Sequence, residues 1–91
     1  MPNYVMIMVG ASPAGDWEPY IDHLLQSGLF RGGSTLGNGM VLTKGSTQQT
    51  CEVNGFMRFE AANIHEVRQL IQGNPHYEAG GRIELLEEIP D

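Results

Sequence analysis

Residues 3–9 read NYVMIMV, and no other run constrains the chain as strongly. Drawn out as a strand, it turns Tyr4, Met6 and Met8 to one side and Val5, Ile7 and Val9 to the other. Both sides are apolar. The strand therefore belongs in the middle of a sheet, with cover on each face rather than one face left to water.

The next segment must supply one cover. After the small-residue loop GASPAG, a helix is expected from Asp16, an N-cap residue, with Glu18 at the positive end of its dipole and Pro19 in the first turn. Trp17, Tyr20, Ile21, Leu24, Leu25 and Gly28 fall on one stripe, and Ser27-Gly28 closes the helix. A second strand, LFRGGSTL, carries two glycines, which mark a bulge or a close backbone approach. Asn38-Gly39 is a hairpin signal, with Met40 to Thr43 as its return arm, and KGSTQQ reads as a loop. Residues 50–60, TCEVNGFMRFE, form a long strand with a bulge at Asn54-Gly55. A second helix starts at Asn63, with Glu66 at N3 and Ile64, Val67, Leu70 and Ile71 inward. Gly73 and Pro75 end it. The closing strand GRIELLEEI buries Ile83, Leu85 and Ile89 and turns Arg82, Glu84 and Glu88 outward, the pattern of an edge.

The order β-α-β-β-α-β is the ferredoxin-like split βαβ arrangement, an α+β fold with an antiparallel sheet. Its helices cover one side only. The first strand's other apolar face is most simply covered by the sheet of a second copy, so a homodimer is expected. Residues 1–91 suit one domain, and a chain this short buries only roughly 60–65% of its unfolded surface, which an added interface would supplement.

Composition removes several function classes. Eleven acidic residues against five scattered basic ones give a net charge of −6, which disfavours nucleic acid as a partner. No run approaches the roughly 20 apolar residues of a membrane span. The opening MPNYVMIMVG lacks a basic n-region, so a cytoplasmic location is expected. One cysteine, Cys51, rules out an internal disulfide, and a structural thiol is expected there. His23, His65 and His76 lack metal-ligand spacing, so neither a metal nor another cofactor is expected.

The segments YVMIMVG, SGLFRGGSTL, EVNGFMRFEAANIHEVRQLIQGNP and YEAGGRIELLEEI, in that order and over nearly the whole chain, resemble the YCII-related (DGPF-type) family. The resemblance implies a dimeric α+β barrel in which two sheets pack face to face, among members that include small enzymes. The chain departs from the family at its chemical positions. Where DGPF members carry Asp-Gly-Pro-Phe it reads Lys44-Gly45-Ser46-Thr47. The YCII branch has a His-Asp pair; here the histidine's place falls at or near Trp17 and the aspartate's place is Asn74.

The candidate pocket residues are Trp17, Tyr20, Arg58, Asn74, His76 and Tyr77. Trp17 and Tyr20 are core residues or an aromatic wall for a flat ligand. Arg58, on a central strand, would pair with Glu60 or Glu84 of the same or the partner subunit, or meet an anion. The stretch GNPHYEAGG at 73–81 is a corner by its glycines and proline, carrying His76 on a loop as a solvated side chain or a catalytic candidate. Two functions fit these residues. One is a ligand-binding or accessory module without the family pair. The other is a cofactor-free small enzyme, a lyase, isomerase or monooxygenase acting on a small molecule, aromatic ones included.

Overall fold

A computed structural model describes residues 1–10, 15–37, 39–45 and 49–91. The elements are β1 (Asn3–Val9), α1 (Glu18–Ser27), β2 (Phe30–Thr35), β3 (Met40–Val41), β4 (Gln49–Thr50), β5 (Val53–Glu60), α2 (Ile64–Gln69), α3 (Pro75–Glu78) and β6 (Arg82–Glu88). Four strands form an antiparallel sheet in the order β2-β5-β1-β6, the ferredoxin-like order. β1 is central and β6 an edge, as their face patterns require.

Side chains of alternating parity divide between the two faces. Tyr4, Met6, Met8, Met57 and Phe59 meet Tyr20 and Leu24 from α1 and Val67 and Leu70 from the α2 segment in one core, with Phe30, Ile83 and Leu85 packed on its margin. The opposite face holds Val5 and Ile7, whose neighbours in register are Arg58 and Leu86, and Phe56 and Glu84. No helix of the described residues crosses that face: α1 and α2 give their buried side chains to the core of the first.

The bulge expected at Asn54 is present. Met8 pairs with Gly55 but Val9 with Val53, so Asn54 is the extra residue. A second irregularity lies in β2, where pairing passes from Phe30 to Gly33, with Gly32 at φ +96°. Gly33 lets two backbones meet: a β-carbon there would sit 2.2 Å from the Phe56 carbonyl oxygen.

Several expectations need correction. α1 begins at Glu18, one residue later than a cap at Asp16 would place it. Asp16 still accepts the Glu18 N–H through its side chain at 3.3 Å, but Trp17 occupies the cap. Leu25 is exposed, because a ten-residue helix on one sheet face buries only a narrow stripe, here Tyr20 and Leu24. Ile64 is also exposed, and so is Ile89, which lies past the end of β6 with no strand beside it. Met40–Val41 pairs with Gln49–Thr50 in a separate two-stranded ribbon instead of returning along β2. Gln49 is thereby strand and not loop. Asn38, half of the hairpin signal, lies outside the described residues, as do Ser46 and Thr47.

The second helix is capped as expected, with Asn63 Oδ1 accepting the Glu66 N–H at 3.1 Å. It ends sooner than its stripe suggests. Beyond Gln69 the chain tightens into three-residue turns (Ile71 N–H to Arg68 O, Asn74 N–H to Ile71 O) and passes through Gly73 at φ +85°. Pro75 then opens a new short helix, since proline fits a first turn as well as it blocks an interior.

Candidate functional site

The 73–81 corner folds back on the end of β1 and carries two buried polar side chains, Asn74 and His76. Asn74, completely buried, caps α3: its Oδ1 accepts the Tyr77 N–H at 3.1 Å. Its amide nitrogen lies 3.8 Å from the Met6 sulfur and 4.0 Å from the Met8 sulfur. His76 is only 2% exposed. Its Nε2 stands 3.0 Å from the Val9 carbonyl and 3.2 Å from the Arg82 carbonyl. Two carbonyls can only accept, so Nε2 carries the proton and donates to both. The ring thus ties the last residue of β1 to the first of β6. Gly81 makes room for it, because a β-carbon there would lie 2.3 Å from Nε2. The solvated loop histidine expected from sequence is corrected accordingly: the short helix α3 turns the ring inward.

Trp17 and Tyr20 stand beside this corner at the start of α1. Their rings meet edge to face with centroids 6.0 Å apart. The Tyr20 hydroxyl donates to the Leu70 carbonyl at 2.7 Å and lies 3.9 Å from the Met6 sulfur. Burial raises the Tyr20 phenol above its ordinary value of 10.0, and the neighbouring Asn74 side chain offsets part of that rise. The sign comes from linkage. Because the folded state holds this proton more tightly than the unfolded state, the stability it contributes is complete below pH 10 and declines as pH rises through the folded value. Tyr20→Phe is expected to cost about 1 kcal/mol at neutral pH through the lost hydrogen bond. It should also flatten the loss of stability above pH 10, read from urea midpoints across the alkaline range. Tyr4, raised by burial and by the charges of Glu87 and Glu66, keeps part of that loss in place.

Trp17, Tyr20, Asn74 and His76 are therefore brought together. Tyr77 and Arg58 are not. Tyr77 points outward, half-exposed on the far side of α3. Arg58 lies on the sheet face opposite the helices, and within one chain its side chain is 56% exposed rather than buried. Within the chain its partner is neither Glu60 nor Glu84. It reaches across β1 to Glu88 on β6, with Nε 3.0 Å and Nη2 3.3 Å from the two carboxylate oxygens. Glu60 pairs with Arg31 and Glu84 with Arg82.

A second feature lies one residue past the Val9 tie. Gly10, Leu36, Gly37, Cys51, Glu52, Val53 and Asn54 line an open cavity of about 320 Å³. The Gly10 N–H donates to the Glu52 carbonyl at 2.8 Å, the Leu36 N–H donates to the Asn54 carbonyl at 3.0 Å, and the Asn54 side-chain amide donates to the Gly10 carbonyl. Sequence reasoning found the Asn54 bulge but not the cavity, which needs the end of β1, the exit of β2 and the entry of β5 at one place. A bulge beside a lone cysteine was the available signal.

No group of three or more metal-ligating side chains occurs among the described residues, and no helix among them is long and apolar enough to cross a membrane. No family model matches the chain, and no curated protein matches it. Among solved structures, the chain is similar to 5-chloro-2-hydroxyhydroquinone dehydrochlorinase from Burkholderia phenoliruptrix AC1100, determined in complex with 2,5-dihydroxybenzoquinone. The two share 15% identity over 98% of this chain and 93% of the other, with a TM-score of 0.44.

Proposed function

We propose that the protein is a YCII-like dimeric α+β barrel that holds a small molecule without converting it. Asn74 carries this reading. It stands where the resembled family has its aspartate, and it is fully buried, with its amide against two thioethers and its oxygen capping α3. An amide neither takes up nor releases a proton near neutral pH, and the indole of Trp17, at or near the histidine's place, is a donor only. His76 uses Nε2 to hold β1 and β6 together. The cofactor-free enzyme reading needs a base within about 3 Å of a substrate proton, and these side chains give it little support.

The open sheet face supports the dimer. Val5, Ile7 and Phe56 are half-buried there and Leu86 is 51% exposed, between the ion pairs Arg58–Glu88, Arg31–Glu60 and Arg82–Glu84. Apolar side chains interleaved with ion pairs, one of which crosses β1 from Arg58 to Glu88, form a surface that a second sheet can cover. Ile7→Glu is expected to weaken the dimer by about a hundredfold or more, since it places an unpaired carboxylate between two sheets. Light scattering after size exclusion reads this; a variant that stays as dimeric as its parent rejects the face as the interface. The function itself is tested by native mass spectrometry of protein taken from its own host. The expected result is a dimer with a discrete extra mass, recovered chemically unchanged after incubation. Recovery of a converted product establishes the enzyme alternative, and a bare dimer removes the ligand-binding reading.

A further inference from the structure

Resting on that binding function, we infer that the cavity between the end of β1 and the start of β5 is the ligand site, and that it takes a small organic amine. At about 320 Å³ it reaches the lower bound of small-molecule sites, roughly 300–1,000 Å³. Its chemistry is set by the polar side chains of the wall. The Gly10 and Leu36 N–H groups and the Asn54 side-chain amide all donate within the wall. Acceptors remain: among the described residues neither Asn54 Oδ1 nor the Glu52 carboxylate takes a hydrogen bond or an ion pair. Among the described residues no Lys or Arg lines the cavity, and the chain carries a net charge of −6. Carboxylate and amide oxygens with no cation beside them favour a donor, best a charged one. Leu36 and Val53 offer apolar surface for the body of the molecule.

The bulge gives the geometry its cause. An extra residue in β5 breaks the ladder and re-aims the Asn54 side chain, as bulges beside sites do. The bonds from Asn54 to Gly10 and from Leu36 to Asn54 then hold that residue on two sides, so its oxygen is positioned before any ligand arrives.

The test is a titration of the full chain, monitored by backbone amide NMR, with phenethylamine, phenethyl alcohol and phenylacetate as probes. Phenethylamine is expected to move the Gly10, Val53 and Asn54 signals, the alcohol to move them more weakly, and phenylacetate to leave them in place. Glu52→Gln, an exposed isosteric change outside the core, is expected to weaken the amine about fivefold and leave the alcohol unchanged. Equal responses to amine and carboxylate, or none at these amides, overturn the assignment. A response to the amine confined to Trp17 and Tyr20 overturns this site while small-molecule binding stands; a bare dimer in the native mass spectrum removes both.

Discussion

Phe59→Ala is expected to lower the free energy of unfolding by about 3–5 kcal/mol, close to the whole stability of a marginal domain of this size. Phe59 is fully buried on a central strand. It pairs across the ladder with Tyr4 on one side and Phe30 on the other, and its ring meets Phe30 with centroids 5.6 Å apart. Truncation removes the largest fully buried side chain and leaves a void that the sheet backbone on either side cannot fill. Urea unfolding monitored by far-UV circular dichroism checks it. A loss under about 1 kcal/mol would mean that the space collapses, and that the core is looser than its burial indicates.

Gly33→Ala is expected to cost about 3 kcal/mol, the upper range for overpacking, and to act on one edge of the sheet. The added β-carbon would fall 2.2 Å from the Phe56 carbonyl oxygen and 2.9 Å from the Met57 α-carbon. Both atoms are main chain inside a ladder, so neither can rotate aside as a side chain can. β2 must move away from β5. Hydrogen exchange should show the Gly33–Thr35 amides losing protection while the β1–β6 ladder keeps its own. If β2 keeps its protection in the variant, the close approach at Gly33 is not what sets this edge.

The two substitutions mark how far sequence reasoning reaches. Phe59 could be assigned to the core from alternation alone, because a strand's faces repeat every two residues wherever the strand pairs. Gly33 could be assigned only to a bulge or a close approach, since a missing side chain does not name the atoms that come near it. The same limit governs the corner at 73–81. Its glycines and proline announced a turn. That Pro75 would open a helix, and that this helix would carry His76 inward to the carbonyls of Val9 and Arg82, depended on β1 and β6 lying side by side.

Arg58 shows a related limit. Its strand is central, but a central strand is buried on both faces only if both faces are covered, and within one chain the helices cover one. The guanidinium lies over the uncovered face and spans β1 to Glu88, a pairing of residues 30 positions apart that no local pattern encodes. Asn54 shows the intermediate case, in which the bulge was legible and its consequence was not.

The sequence by itself determined the β-α-β-β-α-β order of the main elements, the central place of β1, the edge character of β6, the caps at Asn63 and Gly28 and the bulge at Asn54. These rest on periods of two and 3.6 residues and on the local conformations of glycine, proline and asparagine, all of which act within a few positions along the chain. Only the tertiary structure decided the tie of His76 to β1 and β6, the Arg58–Glu88 pair, the detached β3–β4 ribbon and the cavity at Gly10, Leu36 and Asn54. Each needs segments brought together across the sheet, and that juxtaposition is set by pairing register and packing rather than by any short run of residues.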